Sequence, residues 1–195
     1  SIDKKIKINT KFGNKVDKSK SFSLYELKDS FYGSLDRLKT NKINILFLHN
    51  PRLSEKILFN LADFLDDLKK EKLIMFSGIS LAHDYKYSKR VLSRFEVVQD
   101  DLNLLKLDYL IKNSICSNFY ARSPLASGLL AGKNLYKNPF KSKKDHRSNW
   151  LKGKRLISLA SQVDVIKKEI NIPIKNFSRR FILQQNSVKK VIFGI

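Results

Sequence analysis

The sequence predicts an α/β fold, and within that class a (β/α)8 barrel, for three reasons. Short apolar segments alternate along the chain with amphipathic stretches whose apolar residues recur at helical spacing. The apolar segments are nearly continuous, which indicates strands buried on both faces of a parallel sheet covered by helices. No Gly-x-Gly-x-x-Gly fingerprint follows the first strand, so a barrel is favoured over an open, doubly wound sheet.

Strands and helices alternate regularly through the first half of the chain. The first helix has one apolar face, and Ser23 with Glu26 predicts a capping box at its start. The segment Ile43–Leu48 is almost entirely apolar, as expected of a buried strand. In chain order the predicted elements are strand Ile6–Thr10, helix Ser23–Leu38, strand Ile43–Leu48, helix Ser54–Lys70, strand Leu73–Ile79, helix Tyr85–Arg94 and strand Glu96–Gln99.

The second half continues the alternation around one long interruption. Residues Gly132–Trp150 have no apolar period, so they predict a loop, and a loop of that length is usually functional or mobile. Pro173 is expected at the first position of a helix, where proline is tolerated. The predicted elements are helix Leu105–Asn113, strand Cys116–Arg122, helix Lys154–Ile170, helix Pro173–Gln185 and strand Val188–Phe193.

Length and composition favour one globular domain over residues 1–195. The chain has 195 residues, of which 42% are hydrophobic, enough for one sizeable core. No apolar run approaches the roughly 18–20 residues of a membrane-spanning helix, so we expect no membrane association. Cys116 is the only cysteine, which fits a reducing cytoplasm, and its apolar surroundings favour a small buried residue over a nucleophile.

The chain is strongly basic, with a formal net charge of +21 from 39 Lys and Arg against 18 Asp and Glu. Such a charge attracts phosphates, which keeps a nucleic-acid-associated protein as one alternative. The lysines are scattered through helices and loops, however, and the densest run, Lys141–Lys144, falls in the predicted loop. We therefore expect no specific nucleic-acid partner.

Polar residues close most of the predicted strands. In a (β/α)8 barrel such residues meet at one rim, where the active sites of this fold lie. Each has an ordinary alternative: a surface lysine, a structural histidine, a helix N-cap or a solvent-facing glutamine. No His, Cys or Glu cluster has metal-ligand spacing, so no metal site is predicted. The strand-end residues are Lys11, His49, Ser80, Gln99, Arg122 and Ser123.

A Ser-Pro-Leu turn with small residues and two glycines follows the strand that ends at Arg122. Small residues let backbone N–H groups approach a ligand closely, and an oxyanion such as pyrophosphate suits them. The alternative is an ordinary glycine-rich loop.

Motifs spread in order along nearly all of the chain resemble those of the aldo/keto reductases. Any one of them is weak, but their shared order is a strong signal. They are Asn9–Gly13, Ser34–Leu38, Leu46–Pro51, Leu65–Leu68 leading to Gly78–Ser80, Val97–Gln99, Asn103–Leu105, Arg122–Lys133, Asp145–Arg147 with Trp150, and Val191–Gly194.

The resemblance implies a (β/α)8 barrel that reduces aldehydes or ketones with hydride from a nicotinamide cofactor, and on the resemblance alone we expect NADP. An Asp, Tyr, Lys and His tetrad supports the reaction: tyrosine is the general acid, lysine lowers its pKa, and histidine orients the carbonyl. By position, Lys11 and His49 match the catalytic lysine and histidine. The expected partner is a small-molecule carbonyl substrate.

The resemblance also implies cofactor-binding residues. Ser80 and Gln99 match residues that hold the nicotinamide carboxamide, although Leu81 stands where many members have asparagine. Arg122 matches a residue, often aromatic, that lies against the nicotinamide ring, and a guanidinium plane can also stack there. The pyrophosphate loop is matched by Ser123, Leu125 and Ser127.

The resemblance places the tetrad aspartate and tyrosine before Ser1, and further cofactor contacts after Ile195. We therefore expect a fragment truncated at both ends, covering approximately strands three to eight of the barrel. We also expect this chain alone to lack carbonyl reductase activity. The alternative is a non-catalytic nucleotide-binding or regulatory relative of the barrel.

Overall fold

The computed structural model describes residues 6–15, 17, 19–108 and 118–193. The chain divides into two compact units, each described by itself. The first unit comprises Ser1–Asp100 with Ser114–Phe119, and the second comprises Asp101–Asn113 with Tyr120–Ile195.

Six strands occur in the described residues, in the order β1-β2-β3-β4-β5-β6 across the sheet. The pairs β1–β2, β2–β3 and β3–β4 are parallel, as the sequence predicts. Sequential parallel neighbours with helical connections are the arrangement of a (β/α)8 barrel, here with six strands. The strands are β1 Asn9–Phe12, β2 Ile43–His49, β3 Ile74–Ser80, β4 Val97–Asp101, β5 Phe119–Arg122 and β6 Val188–Ile192.

The helices begin and end close to their predicted bounds, with one clear exception. The Ser23 hydroxyl accepts the Glu26 N–H at the start of the first helix, and the Glu26 carboxylate accepts from that hydroxyl rather than from the Ser23 amide. The helices are α1 Leu24–Leu38, α2 Glu55–Lys70, α3 Lys89–Leu92, α4 Gly153–Lys168 and α5 Ile174–Leu183, with short 3-10 helices at Ala126–Gly128, Leu135–Lys137 and His146–Asn149.

The core of the first unit is built on β2. Four consecutive residues of this strand, from Ile45 to Leu48, have at most 1% of their surface exposed. The strand is covered on both faces, which is why its sequence is almost continuously apolar. Helix α2 packs against β3 and buries Leu61 and Leu65. Each such side chain contributes roughly 1.5–3 kcal/mol by leaving water.

The core of the second unit lies between α4, α5 and the segment 132–150. That segment has no α-helix, as predicted, but it is packed rather than loose. Leu135 and Phe140 are 4% and 0% exposed and contact the buried residues of α4. Trp150, the only tryptophan, lies at the end of the segment with the Arg155 guanidinium 5.4 Å from its ring centroid.

Several predicted elements need correction. The helix expected over Tyr85–Arg94 is reduced to α3, and the Tyr85 and Tyr87 hydroxyls before it donate to the Leu53 and Pro51 carbonyls in the loop after β2. Pro173 is the N-cap of α5 rather than its first helical residue. Strand β6 is not buried on both faces, since Lys189 and Lys190 are exposed. Most of the helix expected over Leu105–Asn113, together with Cys116 and Gly194, lies outside the described residues.

Candidate functional site

Three predicted site residues of the first unit are joined by hydrogen bonds. The parallel register sets Ser80 opposite both His49 on β2 and Gln99 on β4. The Ser80 hydroxyl donates to Gln99 Oε1 at 3.0 Å, and the Lys11 ammonium donates to the same oxygen. Ser80 and Gln99 are buried, at 0% and 1% exposure, whereas Lys11 is exposed. We call Lys11, His49, Ser80 and Gln99 the strand-end cluster.

The Gln99 side chain has a hydrogen-bond donor that the described residues do not use. Its carbonyl oxygen accepts two hydrogen bonds, while its amide nitrogen Nε2 donates to none of the described residues. A side-chain amide normally satisfies both of its ends, with protein groups or with water, and Gln99 Nε2 is not among the fully buried unbonded atoms of the described residues. The strand-end cluster therefore presents an amide donor that a carboxamide oxygen of a ligand can satisfy.

The packing beneath Lys11 depends on Phe47 and Gly78. Phe47 pairs with Lys11 in the β1–β2 register, and the ammonium lies 5.9 Å from the centroid of its ring. Gly78 faces the same ring from β3, and a Cβ at this position would collide with Phe47 Cδ1. Only glycine lets the ring lie this close to the β3 backbone, two residues before Ser80.

His49 is held by two residues that sequence reasoning missed. Asn14 Nδ2 lies 2.9 Å from His49 Nδ1, and Lys20 Nζ donates to the carbonyls of His49 and Asn50 at 3.0 and 3.1 Å. Burial, and then the nearby Arg52, lower the pKa of Lys20. The available signal was Gly13-Asn14 directly after a strand, a sequence typical of a turn.

Two tyrosines tie the loop after β3 to the loop after β2. The Tyr87 hydroxyl donates to the Pro51 carbonyl and accepts from the Ala82 N–H at 3.2 Å. The Tyr85 hydroxyl donates to the Leu53 carbonyl at 2.6 Å. Burial raises the pKa of Tyr87 to about 12. A tyrosine in this state is a poor general acid near neutral pH, so it positions the loops that follow His49 and Ser80.

In the second unit, Arg122 forms an ion pair with Asp101, and Arg122 Nε lies 2.8 Å from the carboxylate. Both side chains are largely buried, at 14% and 10% exposure. The pair fixes the guanidinium at the end of β5. Its stacking on a nicotinamide ring stays a prediction.

The loop Ser123–Gly128, which we call the turn loop, holds three non-glycine residues with positive φ. Ser123, Ala126 and Ser127 have φ of 55°, 48° and 54°. The N–H groups of Ala126 and Gly128 bond to carbonyls within the loop at 2.9 Å. Those of Ser123, Leu125 and Ser127, the three predicted residues, bond to none of the described residues. Unpaired N–H groups on such a backbone suit an oxyanion.

Two side chains from elsewhere in the second unit hold the turn loop. Ser178 of α5, fully buried, donates to the Pro124 carbonyl at 2.6 Å. Arg147 donates to the Ser127 carbonyl at 2.9 Å and stacks on Phe140 at 4.6 Å.

Arg147 is itself fixed by Asp145, whose carboxylate accepts three of its hydrogen bonds. These bonds hold the pKa of Asp145 at about 2. Gly128 has φ of 96°, and a Cβ there would lie 2.9 Å from Arg147 Nη1. The sequence singled out Asp145–Arg147 as a motif without giving it a role. The structure shows that it supports the turn loop.

The described residues contain neither a membrane-spanning helix nor a cluster of metal ligands. No helix there is long and apolar enough to cross a membrane. The same residues contain no group of three or more His, Cys, Asp or Glu that could hold a metal ion.

Comparison with known proteins identifies the relatives of this arrangement. The model of the aldo/keto reductase family matches residues 2–195. The glycerol dehydrogenase of Gluconobacter oxydans superposes with a TM-score of 0.72 at 21% identity, over 95% of this chain and 62% of that one. An aldo-keto reductase of Bacillus halodurans in its holo form gives 0.68 at 19% identity, over 95% and 61%. The chain thus spans less than two thirds of either relative. No curated protein matches it significantly in sequence.

Proposed function

Because the chain belongs to the aldo/keto reductase family, we propose that its protein reduces the carbonyl group of a small aldehyde or ketone with NADPH. The observation that carries the proposal is the bonding of Lys11 and Ser80 to one oxygen of Gln99, beside His49 at the next strand end. Neighbouring parallel strands thus bring the cation, the imidazole and the amide into one cluster.

The residues present fit a nicotinamide cofactor, which supplies a hydride when bound. The Gln99 amide nitrogen is a donor without a partner among the described residues, as a carboxamide oxygen requires. The unbonded N–H groups of Leu125 and Ser127 offer donors for a pyrophosphate. Arg122, held by Asp101, presents a guanidinium plane for the nicotinamide ring.

Each catalytic candidate has a role that follows from its chemistry. Lys11 carries an ammonium that stabilises the ionised form of a neighbouring acid and so lowers the pKa of that acid. His49 donates a hydrogen bond to the substrate oxygen as negative charge develops there. The proton itself requires a third group.

We also propose that this chain by itself does not turn over a carbonyl substrate. Tyr85 and Tyr87 both donate their hydroxyl protons to backbone carbonyls, and the pKa of Tyr87 is raised rather than lowered. Tyr25 is 82% exposed on α1. These tyrosines lack the environment of a general acid tuned by a lysine.

The proposed reductase function also implies which partners the protein has. The proposed substrate is a small carbonyl compound in the cytoplasm, with no specific nucleic-acid partner and no membrane. The basic charge of +21 is spread along the sequence rather than gathered in one motif, which supports the absence of a nucleic-acid role.

Nucleotide binding tests the proposal directly. Titration of the chain with NADPH, followed by calorimetry, is expected to show binding that Gln99→Leu weakens by about tenfold, the effect of one lost hydrogen bond. Gln162→Leu, on the exposed face of α4, is the matched control and should leave the affinity unchanged. ADP-ribose, which lacks the nicotinamide, should bind both variants equally.

The outcomes separate the alternatives. Binding of NADPH without consumption of an aromatic aldehyde supports both proposals. Turnover at the rate of a typical family member contradicts the inactivity of this chain. Equal weakening of NADPH and ADP-ribose by Gln99→Leu contradicts the carboxamide role of Gln99, and no binding at all contradicts the cofactor site.

A further inference from the structure

We propose that the short hairpin after β1, whose described residues are 13–15, 17 and 19–21, is a positioning element for His49, and that Asn14 fixes the imidazole in the tautomer with its proton on Nε2. The role of that tautomer in catalysis rests on the proposed function. The tautomer itself does not, because it can be measured without substrate or cofactor.

The hairpin is held together by its own hydrogen bonds. Asn14 and Lys20 form an antiparallel bridge, and Lys15 N–H donates to the Ser19 carbonyl at 2.9 Å. The Ser21 N–H closes the base on the Gly13 carbonyl at 3.1 Å. Both bridging residues, Asn14 and Lys20, therefore have a fixed place relative to β1.

The hairpin is also anchored to its surroundings. Lys15 forms an ion pair with Glu26 in the first turn of α1. Phe12 and Phe22, which flank the hairpin, make an edge-to-face contact with ring centroids 5.8 Å apart. An aromatic contact of this kind adds roughly 0.5–1.5 kcal/mol beyond the burial of area. An ion pair to α1 and an aromatic contact between its flanking residues thus hold the hairpin in place.

Hydrogen-bond chemistry then determines the tautomer. An amide nitrogen carries two hydrogens and no available lone pair, so Asn14 Nδ2 can only donate across the 2.9 Å to His49 Nδ1. With the amide in this orientation, Nδ1 is the unprotonated nitrogen. In a neutral imidazole the proton then lies on Nε2, which leaves Nε2 as a donor.

The same hairpin grips the backbone of His49. Lys20 donates to the carbonyls of His49 and Asn50, and Asn50 has φ of 52°. A non-glycine residue in this conformation is uncommon and needs support from its surroundings. The hairpin thus fixes both His49 Nδ1, which accepts a hydrogen bond from Asn14, and the backbone turn at Asn50 that follows the imidazole.

Nitrogen-15 NMR of the imidazole rings measures which nitrogen of His49 carries the proton. The protein has three histidines, so His83→Gln and His146→Gln assign the signals of His49. The spectra are to be recorded at a pH of about 8.5, about two units above the reference imidazole pKa of about 6.5. The expected spectrum shows an unprotonated Nδ1 and a protonated Nε2.

Two substitutions of Asn14 give different results if the proposal holds. Asn14→Asp replaces the donor by an acceptor, so the proton should move to Nδ1. Asn14→Leu removes the hydrogen bond and should lower the ratio of the Nε2–H to the Nδ1–H form about fivefold, the effect of one average hydrogen bond. His83 and His146 serve as internal references.

Asn44→Asp is the matched control. Asn44 lies on β2 with His49 but donates to Asn9 Oδ1 at 2.8 Å, so this variant should leave the His49 signals unchanged. A protonated Nδ1 in the unmodified chain would overturn the proposal, as would His49 signals that do not respond to either Asn14 variant. Failure of NADPH to bind would count against the proposed function and leave the tautomer result standing.

Discussion

The strand-end cluster of the first unit and the turn loop of the second both present hydrogen-bond donors, yet they are built differently. The cluster consists of side chains from neighbouring parallel strands, and strand register brings them together. The turn loop offers backbone N–H groups, and its conformation is held by Ser178 and Arg147. A side-chain site therefore depends on the packing of its sheet, whereas a backbone site depends on its anchors.

The largest effect is expected from removing the packing beneath the strand-end cluster. Phe47→Ala deletes a ring that is 1% exposed and lies under Lys11, and it leaves a cavity beside Gly78. We expect the free energy of unfolding to fall by about 3–5 kcal/mol, measured by urea denaturation. Tyr25→Ala, at a site 82% exposed, should change it by less than about 0.5 kcal/mol. Equal losses of unfolding free energy for the two variants would contradict the dependence of the strand-end cluster on the packing of its sheet.

An intermediate effect is expected from removing an anchor of the turn loop. Ser178→Ala leaves the Pro124 carbonyl without its 2.6 Å hydrogen bond, inside the protein. An unsatisfied buried carbonyl costs about 1–3 kcal/mol of unfolding free energy, again measurable with urea. Ser161→Ala on the exposed surface of α4 is the control and should be nearly neutral. A loss below about 0.5 kcal/mol for Ser178→Ala would show that the loop does not need this anchor.

The smallest effect is expected in the backbone of the turn loop, and its sign is the informative part. Ser127 has φ of 54°, which glycine adopts without strain, so Ser127→Gly should raise the unfolding free energy by up to about 1 kcal/mol. The same change at Ser158, inside α4, should lower it by about 0.5–1 kcal/mol. Thermal denaturation measures the change in unfolding free energy of each variant. A change of the same sign in both would contradict the positive φ assigned to Ser127.

Much of the fold could be predicted because its signals are local. The apolar run of β2 and the Ser23 cap of α1 follow from sequence patterns that burial and hydrogen bonding impose. The joining of Lys11, Ser80 and Gln99 followed from one rule, that parallel strands end at the same rim. Their catalytic and cofactor roles stay predictions.

What could not be predicted depends on contacts between residues far apart in sequence. Asn14 reaches His49 across 35 positions, and Ser178 reaches Pro124 across 54. Neither Asn14 nor Ser178 differs in type from many others in the chain. The helix expected at Tyr85 failed for the same reason, since bonds to the loop after β2 compete with helical turns there.

Trp150 is the only tryptophan of the chain and lies in the second unit, with Arg155 over its ring. Its fluorescence emission therefore reports the environment of that unit alone, while circular dichroism reports the helices of both. A comparison of the two denaturation midpoints would show whether the halves of this chain melt as one cooperative body or in two separate steps. The protein thus carries its own optical probe of folding cooperativity, without any added label.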